Sequence, residues 1–269
     1  MTDPTVSTSL GLPSIDNCRD LGGMVSADGR TVRPHLLIRS ANLHDATLED
    51  LDALDARGVT SITDLRSKPE RVFKEDRVLD DWALHLLPTF KENRELKLQL
   101  RDIVTRPGTF IEDLYPHLIL DAAAVACWTA FFRLLVDEPG GHLFHCTQGK
   151  DRTGVAAALI LAALDVPEDA IRADYLATNR YMEAETPRLF RGIQKISGTK
   201  LFADIDEFLV ATPLYFQTYL DSTESFGAPK GYLAERCGVT DADFRALKDR
   251  YLQEPGQDAD DAAPGAREA

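Results

Sequence analysis

Cysteine is scarce in this chain of 269 residues, and the four cysteines stand far apart. They show neither the paired spacing of a disulfide framework nor the short spacing of a thiolate metal site. The four are Cys18, Cys127, Cys146 and Cys237. We therefore expect mostly free thiols in a reducing compartment and no disulfide framework.

Long apolar runs are also absent. The most apolar stretch, GVAAALILAALDV at 154–166, is shorter than the ~18 residues that a membrane-spanning helix requires. The first residues, MTDPTVSTSLGLPS, lack the basic region and apolar core of a secretory signal. We expect no transmembrane segment and a cytoplasmic protein, or one exported without a conventional signal peptide.

Basic residues are too few to balance the acidic ones. The chain has 30 Lys and Arg against 44 Asp and Glu, which gives a formal net charge of −14. This charge argues against nucleic acid or an anionic membrane surface as a broad partner, because either would repel the whole molecule. An anionic substrate must then be bound by a local positive site.

Apolar patterning predicts strands and helices that alternate in the first half of the chain. Short buried strands are expected at HLLIRS, VTSITDL, WALHLLP and HLFHC, with helices at TLEDLDALDARG and AAAVACWTAFFRLLV. After Asp151 nearly every segment has a helical period. This order predicts an α/β fold, with a central, largely parallel sheet flanked by helices and a helical carboxy-terminal half.

The pattern predicts one domain with two disordered ends. Residues 1–13 are expected to be a flexible amino terminus, 14–253 the folded domain, and 254–269 a disordered acidic tail rich in Ala, Pro and Gly.

One turn of the chain contains residues that are typical of a catalytic site. In HCTQGKDRTG, Cys146 ends a strand and Arg152 opens a helix six residues later. The backbone amides of this turn can form an anion cup together with the helix amino terminus. Arg152 offers a planar fork to two phosphate oxygens, and the positive surroundings favour a Cys146 thiolate. The predicted phosphate-binding residues are Thr147, Gln148, Gly149, Lys150, Asp151 and Arg152.

The same ten residues resemble the phosphate-binding loop of the cysteine-dependent protein tyrosine phosphatases. Lys150 and Asp151 inside the loop are similar to a bacterial branch typified by a secreted mycobacterial tyrosine and phosphoinositide phosphatase. The segments NCRDLGG, LIRSANL, TDLRSKPE and GYLAERCGVTDADFRALKDRYL also resemble that branch, in the same order. The resemblance covers about residues 14–253.

The resemblance implies roles for several residues. Cys146 would be the nucleophile that forms a phosphocysteine, and Arg152 would bind the transition state. His145 and Thr153 would support the thiolate, and Lys150 would reach a second anionic group. No metal or cofactor is implied. The branch also suggests a helical lid at about 90–120, although an ordinary surface hairpin fits that segment too.

The general acid is less clear from the sequence, because the Trp-Pro-Asp tripeptide of most tyrosine phosphatases is missing. Protonation of the leaving group is worth ~100- to 10,000-fold, so an acid is expected. Asp151 is the first candidate, since it lies in the loop itself. Asp64, at the end of the VTSITDL strand, is the second. Asp80 and Asp81 are weaker candidates, and Arg66 could hold Asp151 or the substrate.

Structural interpretations compete with these roles. Asp64 and Arg66 could form an ion pair behind the loop, and Asp151 could merely cap a helix. A zinc role for His142 and His145 lacks further ligands at suitable spacing. For NCRDLGG we favour a hairpin in which Arg19 and Asp20 tie the amino terminus to the sheet. The remaining cysteines are expected to be inert, with a resolving thiol as the alternative.

The function expected is hydrolysis of phosphotyrosine in proteins or peptides, with phosphoinositide or dual-specificity activity as the alternative. Two functions of other classes are less favoured. A phosphate-binding module without turnover would not need Cys146, and a sulfur transferase would have a shorter loop without the Arg-Thr-Gly helix start. The oligomeric state cannot be predicted.

Overall fold

The computed structural model describes residues 6–90, 107–188, 191 and 209–255. Its main sheet has six strands in the spatial order β1-β2-β4-β7-β5-β6, and β3 pairs separately with β8. The strands are β1 (Thr8–Ser9), β2 (Arg19–Asp20), β3 (Thr31–Val32), β4 (Leu37–Ser40), β5 (Val59–Asp64), β6 (Ala83–Leu86), β7 (Gly141–His145) and β8 (Leu252–Gln253). Strands β4, β7, β5 and β6 are parallel, and β2 and β1 extend the sheet in antiparallel pairs.

Helices lie on both faces of this sheet. Those described are α1 (Leu48–Asp55), α2 (Lys68–Phe73), α3 (Pro107–Leu120), α4 (Ala122–Asp137), α5 (Asp151–Ala163), α6 (Glu168–Tyr181), α7 (Pro213–Glu224), α8 (Ala228–Cys237) and α9 (Asp241–Tyr251). Because side chains alternate along a strand, Leu143 of β7 packs with α1 on one face and Phe144 packs with α4 and α5 on the other. The predicted α/β fold with a helical carboxy-terminal half is confirmed.

Local sequence explains where the helices begin. Thr47 accepts a hydrogen bond from the Asp50 amide at the start of α1, and Thr240 does the same for Asp243 at the start of α9. Helix α5 is almost entirely buried along its length, and its run of alanines lets it lie close to the sheet.

The register of the parallel strands sets the place of the turn at Cys146. Ser40 of β4, His145 of β7 and Asp64 of β5 are direct neighbours across the sheet. The loop that follows β7 therefore leaves from the middle of the carboxyl edge of the sheet, between two other strand ends. Ligand sites of open α/β sheets lie at this edge.

The structure differs from the expected domain ends. Residues 6–13 belong to the fold, since β1 pairs with β2 and Ser7 is buried against Asp174. The flexible terminus is therefore shorter than the predicted 1–13. A strand of two residues, such as β1, has too short an apolar pattern to be recognised in the sequence. The predicted tail is described only at 254–255, and most of the predicted lid, 91–106, lies outside the described residues.

Among the described residues, no single helix has the length and apolar character needed to cross a membrane. Only the bent pair of Asp113–Leu120 and Ala122–Asp137, which meet at 58°, passes that test jointly.

Candidate active site

Cys146 lies at the end of β7, where the chain turns toward α5, and only 3% of its surface is exposed. Burial alone would raise the pKa of its thiol, but the Arg152 guanidinium and the hydroxyl and amide of Thr153 reverse that effect, so the net pKa is below its ordinary value. The Thr153 hydroxyl is buried, and it has no other hydrogen-bond partner among the described residues. The surroundings of Cys146 thus stabilise its thiolate form.

The other three cysteines have the opposite surroundings. Burial raises the pKa of Cys18 to about 12 and that of Cys237 to about 11, and it raises the pKa of Cys127 further still. All four thiols are free. Since the thiolate is the nucleophilic form, only Cys146 has the environment of a reactive cysteine.

The loop after Cys146 directs its amides and its carbonyls to different sides. The amides of Thr147, Gln148, Gly149, Asp151 and Arg152 donate to no other described residue. The carbonyls of Thr147, Gln148 and Gly149, in contrast, all accept hydrogen bonds from the amino-terminal part of the chain. Amides without partners, followed by the amino terminus of α5, give the donors of an anion site.

Gly149 is required by the backbone at this turn. Its φ is +68°, and an added Cβ would lie 2.5 Å from the carbonyl oxygen of Ser40. The loop can therefore lie against the end of β4 only with glycine at this position. Gly154 allows a second close approach, since a Cβ there would lie 3.1 Å from the ring of Tyr175.

Arg152 is held by Glu70, a residue that the sequence analysis did not single out. Nη1 and Nη2 of Arg152 donate to the two carboxylate oxygens of Glu70 at 2.8 and 2.7 Å, and Thr147 Oγ1 donates to Glu70 at 2.6 Å. Burial raises the pKa of Glu70, but Arg152, Ser67 and Thr147 together hold it well below its usual range. The result is a fixed guanidinium beside the loop amides.

The signal that could have found Glu70 is a helix start. Ser67 and Glu70 form the Ser-x-x-Glu capping box of α2, in which the Ser67 amide and hydroxyl both donate to Glu70 Oε2. The short helix α2 was not predicted. Once α2 begins there, Glu70 in its first turn projects back toward the loop.

Behind Cys146 lies a buried group of charged side chains. Arg66 donates to Asp64 through Nε at 2.9 Å and Nη2 at 2.8 Å, and it also donates to Asp76. His145 Nε2 is 3.3 Å from Asp76, and Nδ1 is 3.1 Å from the Cys146 carbonyl oxygen. Burial lowers the pKa of His145, yet Asp76 and Asp64 raise it above its ordinary value.

Asp64, Asp76 and His145 also bring three potential metal ligands together. Arg66 contacts both carboxylates, however, so its guanidinium takes the position where a cation would bind. This arrangement fits the ion-pair interpretation of Asp64 and Arg66. His142 points to the opposite face of β7, where its ring nitrogens meet the hydroxyls of Ser61 and Thr63.

Asp151, the first residue of α5, lies on the open side of the loop. Its Oδ1 accepts a hydrogen bond from the Tyr115 hydroxyl at 2.8 Å, and the Tyr115 hydroxyl oxygen is in turn 2.5 Å from the hydroxyl oxygen of Tyr175. One fifth of the Asp151 side chain is exposed, against 1% for Asp64. Tyr115, which was not predicted as a site residue, thus orients Asp151, and Tyr175 contacts Tyr115 from behind.

Lys150 was expected to reach a second anionic group, and the structure gives its present surroundings. Its ammonium group is buried, 3.3 Å from the Val210 carbonyl oxygen and 3.7 Å from Asp151. Burial lowers the pKa of this lysine. Asp80 and Asp81 precede β6 and therefore lie at the amino edge of the parallel sheet, away from Cys146.

Comparison with known proteins agrees with this geometry. A family model described as the tyrosine phosphatase family matches residues 10–253. A putative tyrosine-protein phosphatase of Cupriavidus necator is 34% identical over 174 residues, which are 64% of this chain and 63% of that protein. The triple specificity protein phosphatase PtpB of Mycobacterium tuberculosis is 28% identical over 226 residues, 74% of this chain and 80% of that protein.

A tyrosine-protein phosphatase of Nostoc commune is 31% identical over 154 residues, and the match spans half of that protein. The chain thus covers less than two thirds of the Cupriavidus and Nostoc proteins. The family model, in contrast, includes the whole sheet from β2 onward, the Cys146 loop and the last helices. On this match, the chain belongs to the tyrosine phosphatase family.

Proposed function

We propose that this protein hydrolyses phosphomonoesters, with phosphotyrosine as its main substrate, through a phosphocysteine intermediate. The observation that carries the proposal is the contrast among the four buried cysteines. Only the thiol of Cys146 has a lowered pKa, and it is the one beside the loop amides and the Arg152 guanidinium. Nucleophile and anion site therefore coincide.

The reaction has two steps. The Cys146 thiolate attacks phosphorus, the bond to the ester oxygen breaks, and the departing oxygen takes a proton from Asp151. The loop amides and Arg152 bind the three equatorial oxygens throughout. Water then attacks the phosphocysteine and gives a proton to Asp151. The P–S bond breaks, the sulfur leaves as thiolate, and inorganic phosphate is released.

The surroundings of the two candidate acids favour Asp151. Asp64 accepts hydrogen bonds from Nε and Nη2 of Arg66 and is almost fully buried, so its two oxygens face a guanidinium rather than the substrate side of the loop. Asp151 is in the loop, partly exposed, and fixed by Tyr115. We therefore propose Asp151 as the general acid and Asp64 with Arg66 as support for the loop.

The first experiment measures hydrolysis of p-nitrophenyl phosphate in the presence of a metal chelator. Wild type is expected to turn over, and Cys146→Ser is expected to be inactive because a serine hydroxyl is not ionised here. Cys127→Ala is the matched control, since it removes a buried thiol whose pKa is raised. Activity that survives in Cys146→Ser would overturn the proposal, and cleavage of thiosulfate would indicate sulfur transfer instead.

A second experiment separates the two acids. Asp151→Asn and Asp64→Asn are compared on aryl phosphates whose leaving groups range from good to poor. We expect Asp151→Asn to slow the poor leaving groups by about 100-fold or more, and the good ones far less. Asp64→Asn should slow all substrates alike. The reverse pattern would assign the proton to Asp64.

The range of substrates needs a direct comparison. The Mycobacterium relative carries triple specificity in its name, so a phosphotyrosine peptide should be compared with phosphoserine and phosphothreonine peptides and with phosphoinositides. The net charge of −14 opposes an anionic lipid surface, and the buried Lys150 ammonium is turned toward Val210 and Asp151. Both features favour phosphotyrosine in proteins or peptides.

A further inference from the structure

The NCRDLGG segment reaches the reaction loop through Asn17. This residue has a left-handed backbone, with φ of 55°, which asparagine tolerates better than most side chains. Its Nδ2 donates to the carbonyls of Gln148 and Gly149, both at 3.0 Å. Two consecutive loop carbonyls are therefore held by one side chain that lies more than a hundred residues earlier in the chain.

Arg39 holds the same loop from the LIRSANL segment. Its Nη2 donates to the Gly149 carbonyl at 3.0 Å, and its Nη1 donates to Asp174 at 2.6 Å. Arg19 lies on the other side of Asp174 and donates to Asn17 Oδ1. Arg19, Arg39 and Asp174 are all essentially unexposed.

These contacts decide which way the peptide groups of the loop face. An amide and the carbonyl on the same peptide plane point in opposite directions, so amides can face the substrate only if the carbonyls face the protein interior. A buried carbonyl without a donor costs as much as a lost hydrogen bond. Asn17 and Arg39 supply those donors at Gln148 and Gly149.

We propose that Asn17, supported by Arg39, is a positioning residue that turns the amides of the Cys146 loop toward the phosphate of the substrate. This inference rests on the proposed phosphatase function. It also changes the interpretation of NCRDLGG. The segment ties down the amino terminus through Arg19 and Ser7, and in addition it shapes the loop that binds the anion.

Two substitutions at Asn17 separate positioning from simple anchoring. Asn17→Asp keeps the shape and the acceptor for Arg19 but removes the donor to both loop carbonyls. Asn17→Gly keeps the left-handed backbone and removes the side chain without adding charge. The matched control is His35→Gly. His35 also has a left-handed backbone, with φ of 66°, but it precedes β4 and so lies at the amino edge of the parallel strands, away from the Cys146 loop.

The measurements are the affinity for tungstate, by calorimetry, the kcat and KM for p-nitrophenyl phosphate, and the melting temperature. We expect both Asn17 variants to lose about 10- to 100-fold in tungstate affinity and in kcat/KM, because the amides are no longer aimed at the anion. Their melting temperatures should fall more than that of His35→Gly, because two buried carbonyls lose a donor. Affinity and rates are therefore measured well below those temperatures, where every variant is folded.

An anchoring role alone predicts a different result. Asn17→Asp would then bind tungstate like wild type and melt at the same or a higher temperature, since its carboxylate pairs with Arg19; that result would overturn the proposal. If wild type binds tungstate but turns over no phosphate ester, the proposed function fails, and tungstate affinity still decides the role of Asn17.

Discussion

The guanidinium of Arg152 uses only one of its edges to bind Glu70. Nη1 and Nη2 both donate to Glu70, Nη2 also donates to Thr147 Oγ1 at 3.3 Å, and Nε donates to no described residue. A phosphate that binds along the second edge, made by Nε–H and the outer hydrogen of Nη2, would accept directly from Nε–H and would replace Thr147 Oγ1 at Nη2. Glu70 thus holds Arg152 in a fixed orientation without competing for its second edge.

Replacement of Glu70 by Gln should lower kcat/KM by about 10- to 100-fold, because the charge-assisted bonds that hold Arg152 are lost. The experiment compares initial rates on p-nitrophenyl phosphate, with the exposed Glu75→Gln as control. A faster Glu70→Gln enzyme would show instead that Glu70 competes with substrate for Arg152.

The pair also has a pH dependence of known sign. Because the pKa of Glu70 is held below its ordinary value of 4.5, its contribution to stability is complete above that value and is lost as the pH falls below it.

Thr153 allows a direct test of the thiolate. Thr153→Val removes the hydroxyl that helps to lower the pKa of Cys146, so this pKa should rise. The thiolate fraction at neutral pH then falls, and alkylation of Cys146 by iodoacetamide becomes slower at every pH below the new pKa. Thr218→Val, which alters an exposed hydroxyl bonded within α7, is the control. An unchanged alkylation profile would exclude a role for the Thr153 hydroxyl.

At the scale of elements, the start of α5 and the end of β4 must touch for the loop to close. Gly149→Ala would bring a Cβ against the Ser40 carbonyl in addition to the cost of a left-handed alanine. We expect this variant to lose tungstate binding and activity by about 100-fold or more.

Gly29→Ala is the matched control for Gly149→Ala. Gly29 has a similar φ of +90°, but a Cβ there would meet nothing within 4 Å. This variant should lose only about 1–2 kcal/mol of stability and keep its activity. Equal losses of activity in the two variants would mean that the contact with β4 is not needed.

The elements with strong periodic patterns could be predicted from sequence. The parallel strands around β7 and the helices α1, α4 and α5 follow from their apolar periods. Helix α2 was missed because it has six residues and no buried ones, so its only signal is the capping box. Short strands such as β1 depend on pairing rather than on pattern.

The residues of the site also separate into those that the sequence could predict and those that it could not. Cys146, Arg152 and Asp151 lie within one turn, where spacing alone implies a shared function. Glu70 and Tyr115, which contact Arg152 and Asp151, come from segments far away in the chain, and so does Asn17, which contacts the loop carbonyls. Only the folded sheet shows that these side chains meet, since a sequence without its contacts does not state which carbonyl or carboxylate a donor will reach.

The whole chain has a formal net charge of −14, whereas the loop that is proposed to bind phosphate carries the Arg152 guanidinium. An acidic phosphopeptide should therefore be repelled at low salt, with kcat/KM rising as ionic strength increases from about 0.01 to 0.1 M and the Debye length shortens from about 30 to 10 Å. A phosphopeptide flanked by lysines should show the opposite trend. The measurement is kcat/KM for both peptides across a salt series, and parallel trends would contradict the argument.

The hydrogen bonds from Asn17 and Arg39 to the loop span 110 to 132 residues of sequence. If the first forty residues detach from the sheet, β7 and α5 can remain folded. The loop carbonyls of Gln148 and Gly149 then lose the hydrogen bonds from Asn17 and Arg39. Catalytic competence should thus emerge late in folding and vanish early in unfolding. Activity would then report on closure of the sheet by its own amino terminus.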